Sequence, residues 1–110
     1  MIKDYSAEVK ELIKKNKTKG FEYGKPVDYL CFRNKAKKED FESDLINCKD
    51  LKLAIKQERE GEIRYILYFV YSSRRGRAYA IVCREKIRII TIWPLGRRTL
   101  KKYRKEKFKK

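Results

Sequence analysis

Histidine is missing from this chain of 110 residues, and only three cysteines are present. Without an imidazole, the chain excludes Ser-His-Asp and Cys-His nucleophiles and every zinc site that requires a histidine ligand. The cysteines, Cys31, Cys48 and Cys83, are odd in number and have no Cys-x-x-Cys spacing. That pattern favours reduced thiols that serve as small apolar side chains, and it predicts a cytoplasmic location.

Long apolar runs are also missing. No stretch approaches the roughly 18 apolar residues that a membrane-spanning helix needs. The first residues already include Lys3 and Asp4, which is unlike a secretory signal peptide. We therefore expect no membrane partner.

Acidic residues are outnumbered by basic ones, with 15 of them against 31 lysines and arginines, so the formal net charge is +16. Their densest group, Glu39, Asp40, Glu42 and Asp44, lies in one short segment, where the first two suit the start of a helix. That segment offers no convergent set of metal ligands, and no glycine-rich phosphate loop of Walker or Rossmann spacing is present. We expect no metal and no cofactor.

The positive charge is concentrated in the second half of the chain. Residues 1–60 contain 15 basic and 12 acidic side chains, whereas residues 61–110 contain 16 basic and 3 acidic ones. Nine of the eleven arginines follow residue 63. Arginine presents a planar fork of donors that fits phosphate, so this distribution predicts a polyanionic partner.

Three segments have helical patterns. Residues 6–17 begin with Ser6 as a helix cap and space their apolar residues as one face of a helix requires. Residues 38–47 start with two acidic residues and also have an apolar face. Residues 27–36 allow two interpretations, a helix that follows Pro26 or a short strand near 29–32. The segment between residues 17 and 27, which Gly20 and Gly24 bracket, is expected to be a loop.

From residue 51 the apolar period changes to two, which predicts strands. Four strands are expected, over 51–56, 63–71, 78–84 and 87–93. A two-residue turn at Glu85 and Lys86 would pair Arg84 with Ile87, Cys83 with Arg88 and Tyr79 with Ile92. A basic helix or tail over 97–108 follows.

These elements predict a single α+β domain. The N-terminal helices are expected to pack on one face of a four-stranded antiparallel sheet, followed by a basic C-terminal helix or tail. Residues 1–25 form an N-terminal helix and loop, residues 26–96 the helices and sheet, and residues 97–110 the basic tail.

Three motifs resemble a known family. They are Arg64–Tyr68, Gly76–Ala78 and the long motif Thr91–Leu100, which reads Thr-Ile-Trp-Pro-Leu-Gly-Arg-Arg-Thr-Leu. In this order they resemble the small ribonuclease toxins related to RelE and BrnT, over roughly two-thirds of the chain and without residues 1–25. Many relatives have a histidine followed by an arginine on the first helix of the domain. The matching stretch here, Val27–Arg33, has no histidine.

The resemblance implies a metal-independent endoribonuclease of a toxin–antitoxin system, or an inactive relative that binds RNA. Its implied partners are RNA and an acidic antitoxin protein, and its implied catalytic residues are Arg77, Tyr79 and Arg88. Fixed cations stabilise the charge that develops on phosphate in the transition state. We expect Tyr79 and Arg88 to face RNA on one side of the hairpin. That side is also expected to carry Ile81, Cys83, Ile90 and Ile92, and the helix-packed side Ala78, Ala80, Val82 and Ile89.

A second hypothesis is a non-enzymatic nucleic-acid-binding module that uses its basic sheet edge and C-terminal tail. The missing histidine favours this module, whereas the sheet rich in arginine and tyrosine favours the toxin. A third hypothesis is a protein whose basic patch binds an acidic protein. The residues expected to bind nucleic acid under the first two are Arg64, Arg74, Arg75, Arg84, Lys86, Arg97, Arg98, Lys101, Lys102, Arg104 and Lys105. Arginines on exposed strand positions can also be simple solvent-facing residues.

Overall fold

The structure is a computed structural model, which describes residues 3–34, 37–72, 75–96 and 98. The fold is α+β, with three helices and a five-stranded sheet. In chain order the elements are α1 (Ser6–Asn16), a 3-10 turn (Lys17–Lys19), β1 (Phe21–Tyr23), α2 (Lys25–Asn34), α3 (Lys38–Asn47), β2 (Leu51–Arg59), β3 (Glu62–Val70), β4 (Gly76–Cys83) and β5 (Ile87–Pro94). The three predicted helices are confirmed, and the segment around Pro26 is a helix rather than a short strand. The expectation that Ser6 caps the first helix is wrong, because Ser6 is its first residue and Tyr5 holds the cap position without a side-chain hydrogen bond. The helix or tail predicted over 97–108 lies outside the described residues, except for Arg98.

The sheet is mixed, with the strand order β1-β5-β4-β3-β2. Strands β2 to β5 form the expected antiparallel meander. The expectation of a wholly antiparallel four-stranded sheet is wrong, because β1 adds a fifth, parallel strand beside β5. Its three residues lie in the segment expected to be a loop. Three residues are too few for alternation to distinguish a strand from a loop, and this strand is defined by its pairing with β5.

The described helices pack on one face of this sheet. Buried residues from α1, α2 and α3 form one cluster with strand residues that alternate along β3, β4 and β5, including Tyr65, Leu67, Phe69, Tyr79, Ile81, Ile87, Ile89 and Ile92. A smaller cluster joins Ala78 and Leu95 to Tyr68 and Val70. We call the first side the helix face and the second the outer face. The expectation that the helices pack on one face of the sheet is therefore confirmed.

The predicted assignment of the two faces is wrong. Tyr79 and Ile81 belong to the helix face with Cys83 and Ile92, whereas Ala78 belongs to the outer face. Tyr79 and Ile81 are fully buried. The large side chains of that row bury more apolar area against the helices than the small ones of Ala78, Ala80 and Val82, which explains the choice.

The predicted hairpin register is also wrong near the turn. Cys83 pairs with Ile87 and Val82 with Arg88, so the turn has one more residue than expected. A bulge between Ala80 and Ile81 leaves Ile90 unpaired and restores the predicted pair of Tyr79 with Ile92. Arg88 therefore lies on the outer face, opposite to Tyr79.

Gly24 connects β1 to α2 where the backbone passes close to β5. Its N–H donates to the carbonyl oxygen of Ile89 over 2.8 Å. A Cβ at this position would lie 2.5 Å from the carbonyl oxygen of Ile90. Only a residue without a side chain allows this approach.

Candidate nucleic-acid interface

The fold brings two basic segments, distant in sequence, to one end of the molecule. The N–H of Ile87 donates to the carbonyl oxygen of Gly20 over 3.2 Å, and Phe21 pairs with Ile87. The Lys17–Lys19 turn therefore lies beside the turn between β4 and β5. The exposed cations of this basic end are Lys17, Lys19, Arg84, Lys86 and Arg88, with Lys14 and Lys15 in the last turn of α1.

The α1 lysines were missed as a binding feature. Cations in the last turn of a helix stabilise it through the helix dipole, and this structural role was a sufficient explanation for Lys14 and Lys15 from sequence alone. The parallel pairing of β1 with β5, which sequence reasoning did not detect, brings them to the basic end. A short strand signal in Phe21–Tyr23, two aromatic residues that alternate with Glu22, was present in the chain.

Ion pairs at this end are exposed and mixed in sign. Arg84 Nη2 lies 3.1 Å from Glu62 Oε2, and Lys86 Nζ lies 3.9 Å from Glu22 Oε1. Arg88 forms no ion pair with any described residue. These side chains line an open concavity of about 670 Å³ on the outer face. Exposed pairs contribute little to stability, so Arg84 and Lys86 can exchange a carboxylate for a phosphate at small cost.

The other residues predicted to bind nucleic acid are spread over the molecule. Arg64 is half-buried, with Nε 3.0 Å from Glu62 Oε1. Arg75 and Arg98 are exposed, and Arg75 lies in the turn before β4, at the opposite end of the sheet from Lys86. Six predicted residues lie outside the described part of the chain, Arg74, Arg97, Lys101, Lys102, Arg104 and Lys105.

Two of the three predicted catalytic residues meet at a carboxylate on α3. Arg77 Nη1 donates to Tyr79 Oη over 3.2 Å and lies 3.5 Å from Asp44 Oδ2. Tyr79 donates its hydroxyl to the same oxygen over 2.6 Å, and Tyr71 does so as well. The guanidinium of Arg77 also lies over the ring of Phe41, 5.0 Å from its centroid.

The hydroxyl protons of Tyr71 and Tyr79 are held in hydrogen bonds to Asp44. Burial, together with the hydrogen bond to Asp44, raises the pKa of Tyr79 far above its ordinary value, and the same causes raise the pKa of Tyr71. Both phenols are therefore protonated near neutral pH and act as donors. Arg88, the third predicted catalytic residue, lies on the other face of the sheet, so the structure does not bring the three together.

The cluster around Asp44 was missed because the sequence analysis considered Asp44 only as one member of an acidic segment. A usable signal was its spacing. Asp44 stands three residues after Phe41 and beside Leu45, both of which are buried. A carboxylate on the apolar stripe of a helix requires hydrogen-bond donors from the elements packed against it.

All three cysteines are free thiols, as expected. Burial raises the pKa of Cys83 to about 11 and also raises that of Cys48. These thiols are therefore protonated at neutral pH and are poor nucleophiles. Within the described ranges, no three acidic or cysteine side chains converge as a metal site would require, and no helix there is long and apolar enough to span a membrane.

Comparison with models of protein families, with curated proteins and with solved structures gives no match to this chain. The likeness to the RelE and BrnT toxins thus stays a prediction from the three sequence motifs.

Proposed function

We propose that this protein binds RNA electrostatically, through its basic end and the basic residues that follow β5. One observation carries the proposal. Pairing of β1 with β5 brings the lysines of Lys17–Lys19 beside the cations of the β4–β5 turn, although some 70 residues of sequence separate them. Clustered cations on one surface attract a polyanion at long range and release its counterions on contact.

The choice of RNA as the polyanion rests on the resemblance of the three sequence motifs to ribonuclease toxins. Binding without cleavage is the form that the geometry supports best. Arg77 is already paired with Asp44, Tyr79 is buried and protonated, and Arg88 lies on the other face. Cleavage by these three residues would need them to act on one phosphate, which their positions oppose.

The test replaces Lys17, Lys19 and Lys86 together by glutamine and measures RNA binding over a series of salt concentrations. Loss of three phosphate contacts should reduce the slope of log K against log salt by about 2 for a single strand. The matched control replaces Lys3, Lys49 and Lys52 by glutamine, which removes the same charge from exposed residues outside the basic end. Its slope should equal that of the unaltered protein.

Equal slopes for the two triple variants would show that the basic end does not contact the polymer, and the proposal would then fail. Incubation of the unaltered protein with RNA, followed by gel analysis, tests the toxin hypothesis separately. Cleavage that persists in EDTA and requires the 2′-hydroxyl would favour the endoribonuclease over simple binding.

A further inference from the structure

Among the described residues of the outer face, Trp93 is the large aromatic side chain most exposed to solvent. Trp93, the only tryptophan of the chain, pairs with Ala78 on β4, and Ala78 pairs with Tyr68 on β3. Trp93 is 36% exposed. Helices α1, α2 and α3 pack on the other face, whereas Leu95, which follows β5, packs against Ala78 on this row and leaves Trp93 partly exposed.

The bulge in β5 determines that Trp93 faces outward. In a regular strand, Ile89, Thr91 and Trp93 would share one face, and Ile89 belongs to the helix face. Because Ile90 is left unpaired, Ile92 joins Ile89 in the core and Trp93 turns to the outer face. Bulges commonly re-aim side chains beside functional sites. The exposed indole is thus a consequence of a specific feature of the strand.

Along β5 the outer face changes from aromatic to cationic. Trp93 lies at one end, Thr91 opposite Ala80 follows it, and Arg88 opposite Val82 lies at the other end. The strand places Trp93 and Arg88 about 16 Å apart. Ala80 and Val82 between them are buried, so a polymer that crosses this strip would contact its two exposed ends, Trp93 and Arg88.

We infer that the outer face binds single-stranded nucleic acid, with an unpaired base stacked on Trp93 and backbone phosphates at Arg88 and the basic end. The inference rests on the proposed function. An aromatic side chain beside a cationic surface is the arrangement that binds unpaired bases, since each base has a stacking face and the backbone needs only positive charge. In a duplex the bases are already stacked on one another, so a flat sheet face cannot reach them.

Charge also selects the occupant of this face. A chain with a formal net charge of +16 repels a second copy of itself, whereas it attracts a polyanion. The exposed aromatic area of this cationic chain therefore suits single-stranded RNA, with its phosphates and unpaired bases, better than it suits a second copy of the protein.

The experiment uses the fluorescence of Trp93 as a direct reporter. A uridine oligonucleotide should quench it, and an RNA duplex of equal length should quench it much less. Trp93→Leu should weaken binding of the single strand by roughly 5- to 150-fold, the range for loss of one stacked base, with the salt slope unchanged. Trp93→Phe should restore most of the affinity.

Phe32→Leu is the matched control. Phe32 is 87% exposed and lies on α2. Its replacement by leucine therefore removes an exposed aromatic ring and leaves the outer face unchanged. Its affinity for the single strand should equal that of the unaltered protein. Circular dichroism of each variant verifies folding before binding is compared.

The outcomes separate this inference from the proposed function. If neither single strands nor duplexes bind at low salt, the proposed function fails. If RNA binds with a steep salt slope, but Trp93 is not quenched and Trp93→Leu binds normally, only the stacking site is wrong. Self-association that Trp93→Leu abolishes while RNA binding persists would make the face an interface between copies, and would also overturn the inference.

Discussion

Asp44 connects helix α3 through side-chain hydrogen bonds to two different parts of the sheet. One of its oxygens accepts hydrogen bonds from Tyr71, which follows β3, and from Tyr79 in β4. Arg77 balances its charge. A carboxylate this close to the core needs hydrogen-bond donors in place of the water that it loses, and Tyr71, Tyr79 and Arg77 supply them.

We predict that Asp44→Ala destabilises the fold by about 2–3 kcal/mol, because two phenol hydroxyls and a guanidinium lose their common acceptor. Chemical denaturation monitored by circular dichroism measures the change. The control is Asp40→Ala on the same helix, where the carboxylate is exposed near the N-terminus and should contribute less than about 1 kcal/mol. Equal losses in the two variants would contradict the role given to Asp44.

At the scale of elements, the feature that sequence reasoning missed is the short strand β1. Its position depends on Gly24, whose N–H bonds to Ile89 where a side chain would meet the Ile90 carbonyl. Because β1 aligns the Lys17–Lys19 turn with the β4–β5 turn, this contact also positions the basic end.

Gly24→Ala should therefore destabilise the protein by about 1–3 kcal/mol, the usual range for an overpacked site. The Cβ would force β1 or α2 away from β5. Gly96→Ala serves as the control, since no described atom lies within 4 Å of a Cβ there. Its effect should fall within about 0.5 kcal/mol of zero in the same denaturation assay. A Gly24→Ala variant as stable as the Gly96→Ala variant would refute the close-approach argument.

Local patterns were sufficient for long elements and insufficient for pairing. The spacing of apolar residues identified α1, α3 and the four antiparallel strands, because each spans enough residues to show its period. The register of β4 against β5 was missed near Cys83, since a three-residue turn followed by a bulge at Ile90 produces the same pair of Tyr79 with Ile92. Only the packing of Ile89 and Ile92 into one core distinguishes the two registers.

Candidate residues followed the same division. Arg84 and Lys86 were identified as nucleic-acid-binding candidates from their charge, and the structure places both at the basic end. Arg88 was predicted to be catalytic beside Tyr79, and it lies at the basic end on the other face of the sheet. Asp44 and Trp93 were not assigned functional roles, because the first depends on contacts between α3 and β4 and the second on the bulge. Local sequence carries neither contact, so chemistry that depends on tertiary pairing could not be predicted.

For the whole molecule, positive charge is the dominant property. The excess is largest after residue 60, and its densest part, Arg97–Lys110, contains nine basic residues and only Glu106 among the acidic ones. Such an excess reduces stability slightly through self-repulsion and raises the rate of encounter with a polyanion. If the proposed binding to RNA holds, the salt dependence of the affinity reports how many of these charges contact the polymer.

If about six phosphates are neutralised, log K for a single strand should fall with log salt with a slope near −4. Deletion of residues 97–110 should flatten that slope, because it removes nine basic residues while leaving every described strand in place. Fluorescence anisotropy of a labelled RNA over a salt series measures both slopes. The control keeps residues 97–110 and replaces the exposed Lys3, Lys49 and Lys52 by glutamine, which should leave the slope as it was. A deletion variant with an unaltered slope would place the electrostatic contact entirely on the basic end, and the combined Lys17, Lys19 and Lys86 variant should then account for most of the salt dependence.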